Sequence, residues 1–174
     1  MKHTNDNTTS IEQLLLDDGV VTYKVKGKSM EPMIIQNKDI VTIRKIHAGE
    51  NYQVNDVVLY HQKGHLVLHR IVEIQQDGRY VILGDNCSRK EYDVKDSDII
   101  GKLKSFKHNG KHYDLNDTQY TQYVEILEKT QKIRMIRKLL YDIIIQHLNF
   151  LPSSFYDKLK VMLKGIIVYQ IKFD

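Results

Sequence analysis

Cysteine is almost absent from the chain: Cys87 is the only one in 174 residues. It cannot form an internal disulfide, so nothing calls for an oxidising compartment and the fold must rest on packing. Long apolar runs are missing too. None approaches the ~20 residues needed to span a bilayer, and the amino-terminal stretch MKHTNDNTTS lacks the apolar core of a secretory leader. Together these absences lead us to expect a soluble, cytoplasmic protein, with contact to a membrane limited to its periphery. There is no internal repeat and no low-complexity segment.

Net charge is absent from most of the chain. From Gln119 to Asp174 there are nine Lys/Arg and five Asp/Glu, so the whole surplus of +4 lies in the tail and the first 118 residues balance. That excess is small, and no DNA-binding motif accompanies it, so nucleic acid is not an expected partner.

What is present is enough for one sizeable core, with 41% hydrophobic and 28% charged residues. Ser10 and Gln13 form a candidate capping box before a short helix that Gly19 ends. β-rich pieces then follow one another: VVTYKVK, DIVTIRK, DVVLY, HLVLHRIVEI, RYVIL and DIIGKLKSF, separated by turn-forming residues. Six short strands with little helix between them predict a mainly antiparallel sheet or partly closed barrel. Beyond Asn116 the period becomes helical, with Ile126, Ile133, Ile136, Leu140, Ile143 and Ile144 interleaved with Lys132, Arg134, Arg137 and Lys138. Pro152 separates this helix from a second one, roughly Phe155 to Lys164. The division expected is 1–19 for a polar segment and short helix, 20–115 for a β domain, and 116–174 for a basic, amphipathic helical extension.

Three short stretches carry the candidate chemistry. In VKGKSMEPMI, Ser29 stands between Gly27 and Pro32; on its own this reads first as a serine capping a helical turn. Strand alternation in HLVLHRIVEI puts His65, Val67, His69, Ile71 and Glu73 on one face and Leu66, Leu68, Arg70, Val72 and Ile74 on the other. His69 would otherwise be a hydrogen-bonded core histidine. Gly84-Asp85-Asn86 in LGDNCSRKEYD is a turn signal.

Taken together, G-x-S-M-x-P at 27–32, a basic residue followed by arginine at 69–70, G-D-N at 84–86 and G-K at 101–102 resemble the catalytic domain of type I signal peptidases. These group with self-cleaving repressors of the LexA type. The resemblance covers about half the chain, Val20 to Lys104. It implies a β-sheet serine protease domain, with Ser29 as nucleophile and, where bacterial members carry lysine, His69 as general base. A histidine base is oriented by a carboxylate, which the resemblance places shortly after G-D-N; Asp93 is favoured, then Asp85, then Glu91. The Ser29 backbone N–H is the implied oxyanion donor, with Met30 and Pro32 around it. Gly27 stands where some relatives have a second, hydroxyl donor. Tyr23 and Val25, on the first strand, are expected to hold the substrate as an added strand.

The expected function is serine endopeptidase activity that trims a leader or signal-like peptide from a precursor, with no cofactor and no metal. The alternative is a non-catalytic module that keeps the fold and binds a peptide or a membrane. Self-cleavage has less support: the segment before Ser29 shows neither a DNA-binding domain nor an Ala-Gly or Cys-Gly linker. Cys87 reads as a turn cysteine, and His61, His65 and His69 lack the Cys or carboxylate partners of a metal set. The basic tail reads first as a helical cover for the sheet, then as a surface for anionic lipid or a partner protein.

Overall fold

A computed structural model describes residues 6–148 and 152–167. Helix α1 (Asp6–Asp18) precedes strands β1 (Val20–Lys24), β2 (Ile40–Arg44), β3 (Val57–Gln62), β4 (His65–Ile74), β5 (Tyr80–Leu83), β6 (Glu91–Val94), β7 (Ile99–His108) and β8 (Lys111–Asp114). Helices α2 (Thr118–His147) and α3 (Ser153–Ile167) follow. All strand pairs are antiparallel, in the order β1-β2-β7-β3-β4-β5-β6 with β8 on β7, and the sheet curls into a half-barrel. The mainly β fold expected from the alternating strands is what the chain adopts.

Two details differ from the expectation. Ser10 lies within helix α1, not ahead of it; Gly19, at φ 69°, does follow its end. Strands β6 and β8 escaped the sequence reading because EYDV and KHYD are short, charged and barely alternating.

The sheet separates two apolar clusters. The larger joins Leu15 of α1, Val21 and Val25, Val41, Ile43, Leu68, Leu103 and Phe106 to Tyr120, Tyr123 and Leu127 of α2. The smaller holds Tyr52, Val58, Tyr60, Ile71, Tyr80, Ile82, Val94 and Ile99. Successive residues of β4 therefore serve different sides, and His69 and Arg70 belong to opposite ones.

Helix α2 covers the sheet through its first three turns. Asp117 caps it by accepting from the Gln119 N–H at 2.8 Å. Its buried positions are Tyr120, Tyr123, Leu127 and Tyr141, whereas Ile126, Ile133, Ile136, Leu140 and Ile143, whose spacing announced the helix, are exposed. Among the described residues no helix is long and apolar enough to cross a membrane. The tail beyond 167 lies outside the described residues.

Candidate active site

Ser29 lies in the connection between β1 and β2. Met30, Met33 and Ile34 have the spacing of one helical turn and are at most 1% exposed. Burying each stabilises the loop by about 1.5–3 kcal/mol, so three plugs in the main core fix a segment that makes little regular structure. The Ile34 N–H donates to the Met30 carbonyl at 3.0 Å, and Asp39 closes the loop by accepting from the Ile35 N–H at 2.6 Å. Asp39 in turn meets His108 Nδ1 on β7 at 2.6 Å. The Glu31–Pro32 peptide bond is cis, and Gly27 takes φ 97°. Ser29 itself stays half-exposed at the rim.

The turn 84–87 is the second wall. The Asn86 N–H donates to the Ser29 carbonyl at 2.7 Å, and Asn86 Nδ2 donates to the Lys28 carbonyl at 3.0 Å. These two bonds pin the serine segment onto the G-D-N turn. Because β4 pairs with β5 in the register Arg70↔Leu83, the chain leaving Leu83 runs directly past His69. At Gly84 a Cβ atom would lie 2.7 Å from Cys87 Sγ and 2.8 Å from His69 Nε2, so no larger residue fits there without movement. The glycine of G-D-N is thus required by close approach.

His69 is 5% exposed. Its Nδ1 lies 3.1 Å from Glu91 Oε1 on β6 and 3.3 Å from the Tyr60 hydroxyl on β3, and Tyr60 also donates to Glu91 Oε2. On the other side of the ring Nε2 is buried and has no hydrogen-bond partner. Burial alone would push the imidazole down, but contacts with Cys87 and Glu91 together outweigh it and hold the ring up at about 9. Burial likewise pulls the Glu91 carboxyl up, and its bonds to His69 and Tyr60 reverse that, leaving it below the usual carboxylate range.

Of the three carboxylates expected to serve the histidine, Glu91 is the one against its ring. Asp93 is directed elsewhere: its φ of 64° breaks the strand alternation, its side chain is 61% exposed, and it pairs with Arg79 at 2.7 Å. Asp85 is on the opposite face of the sheet. Arg70 grips it through Nε and Nη2 at 2.9 and 2.8 Å, Tyr123 donates to it at 3.0 Å, and Arg134 donates to its backbone carbonyl at 2.6 Å. Arg70 also donates to Tyr120 and to the Asn55 carbonyl, each at 3.0 Å. Asp85 is therefore a structural anchor that α2 locks from above.

Tyr60, Asn86 and the α2 side chains Tyr120, Tyr123 and Arg134 were not singled out by sequence reasoning. Only Asn86 had a local signal, as the third residue of G-D-N. Tyr23, on β1, is half-buried, and Val25, just past the end of that strand, is buried; among the described residues β1 pairs only with β2. Gly101 packs against the Arg44 carbonyl and Leu15, where a Cβ would lie 2.7 and 3.0 Å from them; Lys102 pairs with Glu50 and Asp56. The G-K pair belongs to the scaffold. Among the described residues no group of three or more metal-ligating side chains converges; His61 pairs with Glu12 instead.

The model of the peptidase S24-like family matches residues 1–116. The chain belongs to that family. At family level the match supports a hydrolase of the peptidase type, and it ends where the helical extension begins. A search of curated proteins returned no match.

Proposed function

We propose that the protein is a serine endopeptidase in which His69 activates Ser29 and Glu91 orients His69. The observation that carries this reading is the asymmetry of the imidazole. Nδ1 is held by a carboxylate and a phenol, while Nε2 is buried, unpartnered and beside the turn to which the serine segment is pinned. A serine hydroxyl attacks a carbonyl only if a base takes its proton, and a base oriented from behind with a vacant front nitrogen is what that step needs. The Ser29 N–H would face the oxyanion. An extended peptide adds to the free edge of β1 beside Tyr23 and Val25 and brings its scissile bond to Ser29. A leader or signal-like segment of a precursor, with small residues before the cut, is the substrate class that the motif resemblance favours.

The test is covalent labelling with a short-chain fluorophosphonate, read by intact mass, on the protein and on Ser29→Ala and His69→Ala. Labelling that needs both residues supports the proposal. A folded protein that takes no label between pH 6 and 10 is instead a binding module on a peptidase fold. Because the ring sits at about 9, the base form is scarce at neutral pH: labelling rises about tenfold per pH unit up to about 9 and then levels.

A further inference from the structure

The sulfur of Cys87 has no role in the reaction proposed above, yet it stands where the vacant nitrogen of His69 points. Three observations coincide. Cys87 is half-buried at the rim, so a small reagent reaches it. His69, 95% buried by the complement of its 5% exposure, leaves Nε2 without a hydrogen-bond partner. Gly84 is the residue over which Sγ and Nε2 meet, each within 3 Å of where its Cβ would stand. The Cys87 N–H donates to the Gly84 carbonyl at 2.9 Å, which fixes the thiol on that side of the turn.

We propose that Cys87 is a modification site: a thiol activated by His69 for exchange with small disulfides. An ordinary cysteine is only a few per cent thiolate at neutral pH, and the thiolate is the nucleophile. The ring, charged at neutral pH, stabilises the Cys87 thiolate, whose proton goes to water; the thiolate attacks one sulfur of the disulfide, the old S–S bond breaks, and the departing thiolate takes a proton from water. One mixed disulfide and one small thiol are formed, with no other oxidant needed. Three titratable groups face the ring, and each acts on this step. Glu91 from β6 stabilises the imidazolium, Tyr60 from β3 shares Nδ1, and Cys87 itself contributes from the turn. The adduct would cover Nε2, the nitrogen that the serine reaction requires, so the site rests on the same histidine as that reading while making a separate claim.

The experiment is the rate of Cys87 modification by oxidised glutathione and by a chromogenic aromatic disulfide, followed by intact mass, between pH 6 and 9. The wild type is expected to react at pH 7 about tenfold faster than free glutathione does with the same reagent, and about tenfold faster than His69→Gln. Glu91→Gln, whose side chain is at the rim, provides a second variant should the buried substitution fail to fold; it is expected to react at least threefold more slowly than wild type. A wild-type rate equal to that of free glutathione, or rates unchanged in the variants, overturns the proposal. The two readings fail separately. Rapid exchange at Cys87 with no fluorophosphonate on Ser29 removes the peptidase reading alone, and ordinary exchange with Ser29 labelled removes this one alone.

Discussion

Two adjacent residues of β4 carry buried charge on opposite sides of one sheet, and their surroundings are built on different principles. Arg70 has its guanidinium bonded to Asp85, Tyr120, Asn55 and the Met33 sulfur, and Asp85 is further held by Tyr123. His69 has one nitrogen bonded twice, while the other makes no hydrogen bond and has the Cys87 sulfur beside it. A buried polar group left unpaired costs about 1–3 kcal/mol, so the chain tolerates at His69 a defect that it avoids at Arg70. Saturation marks the network that holds the turn in place; incompleteness marks the one to which the proposal assigns chemistry.

Breaking the saturated side should show the largest effect on stability. Arg70→Ala leaves Asp85 buried without its partner, which typically costs about 3–5 kcal/mol. The expected outcome is a large fall in Tm by calorimetry, with loss of labelling at Ser29 following only from unfolding. His69→Gln should do the reverse. Removing a general base costs about 10²–10⁴-fold in rate, while the fold keeps Glu91 bonded to Tyr60. A thermal melt near wild type together with labelling reduced at least a hundredfold would sharpen the contrast between the two faces. Equal damage to stability from both variants would erase it.

A smaller effect is expected at Tyr123→Phe, which removes one donor to Asp85 and leaves Arg70 in place. A hydrogen bond to a charged group contributes about 1.5–3 kcal/mol, so the melt should shift moderately with labelling of Ser29 intact. This variant also tests whether α2 belongs to the catalytic unit. Tyr120, Tyr123 and Leu127 are in the main core, and Arg134 reaches the Asp85 carbonyl, although the family match ends at residue 116. Cutting the chain near that boundary removes the lid over Asp85, and the truncated protein should fail to melt cooperatively.

Much of the sheet was legible because strands with one buried face write a period of two into the sequence, as β1, β2 and most of β7 do, while β3 and β5, buried on both faces, read as short β-branched and aromatic runs. Ser29, His69 and the G-D-N turn were legible as a motif. The carboxylate that meets the His69 ring was not. Glu91 and Asp93 sit two apart, so simple alternation places them on the same face, and only the positive φ at Asp93 separates them. No local pattern announces that reversal. The helix was legible by its period but not by its contacts. Its isoleucines suggested the packed face, yet the sheet is met by tyrosines that satisfy a buried ion pair some 50 and 38 residues away in sequence. Polar partners across such separations are fixed by tertiary packing, which leaves no periodic trace.

The finest distinction between the two networks is one of pH. Arg70 stays charged throughout the accessible range, so its side of the sheet should contribute no pH dependence of labelling. His69 is different. Its ring is pushed up to about 9, against the effect of burial, by Cys87 and then Glu91, and the neutral form is the one that can accept the serine proton. Glu91→Gln removes a negative charge that favours the imidazolium, so the inflection of the labelling profile should move to lower pH. The plateau at high pH should fall as well, because the ring loses the group that orients it. Both changes have to occur together if Glu91 acts on Ser29 through His69. A lowered plateau with an unmoved inflection would mean that the substitution harmed the loop and not the base, and Arg70 and His69 would then differ in location but not in kind.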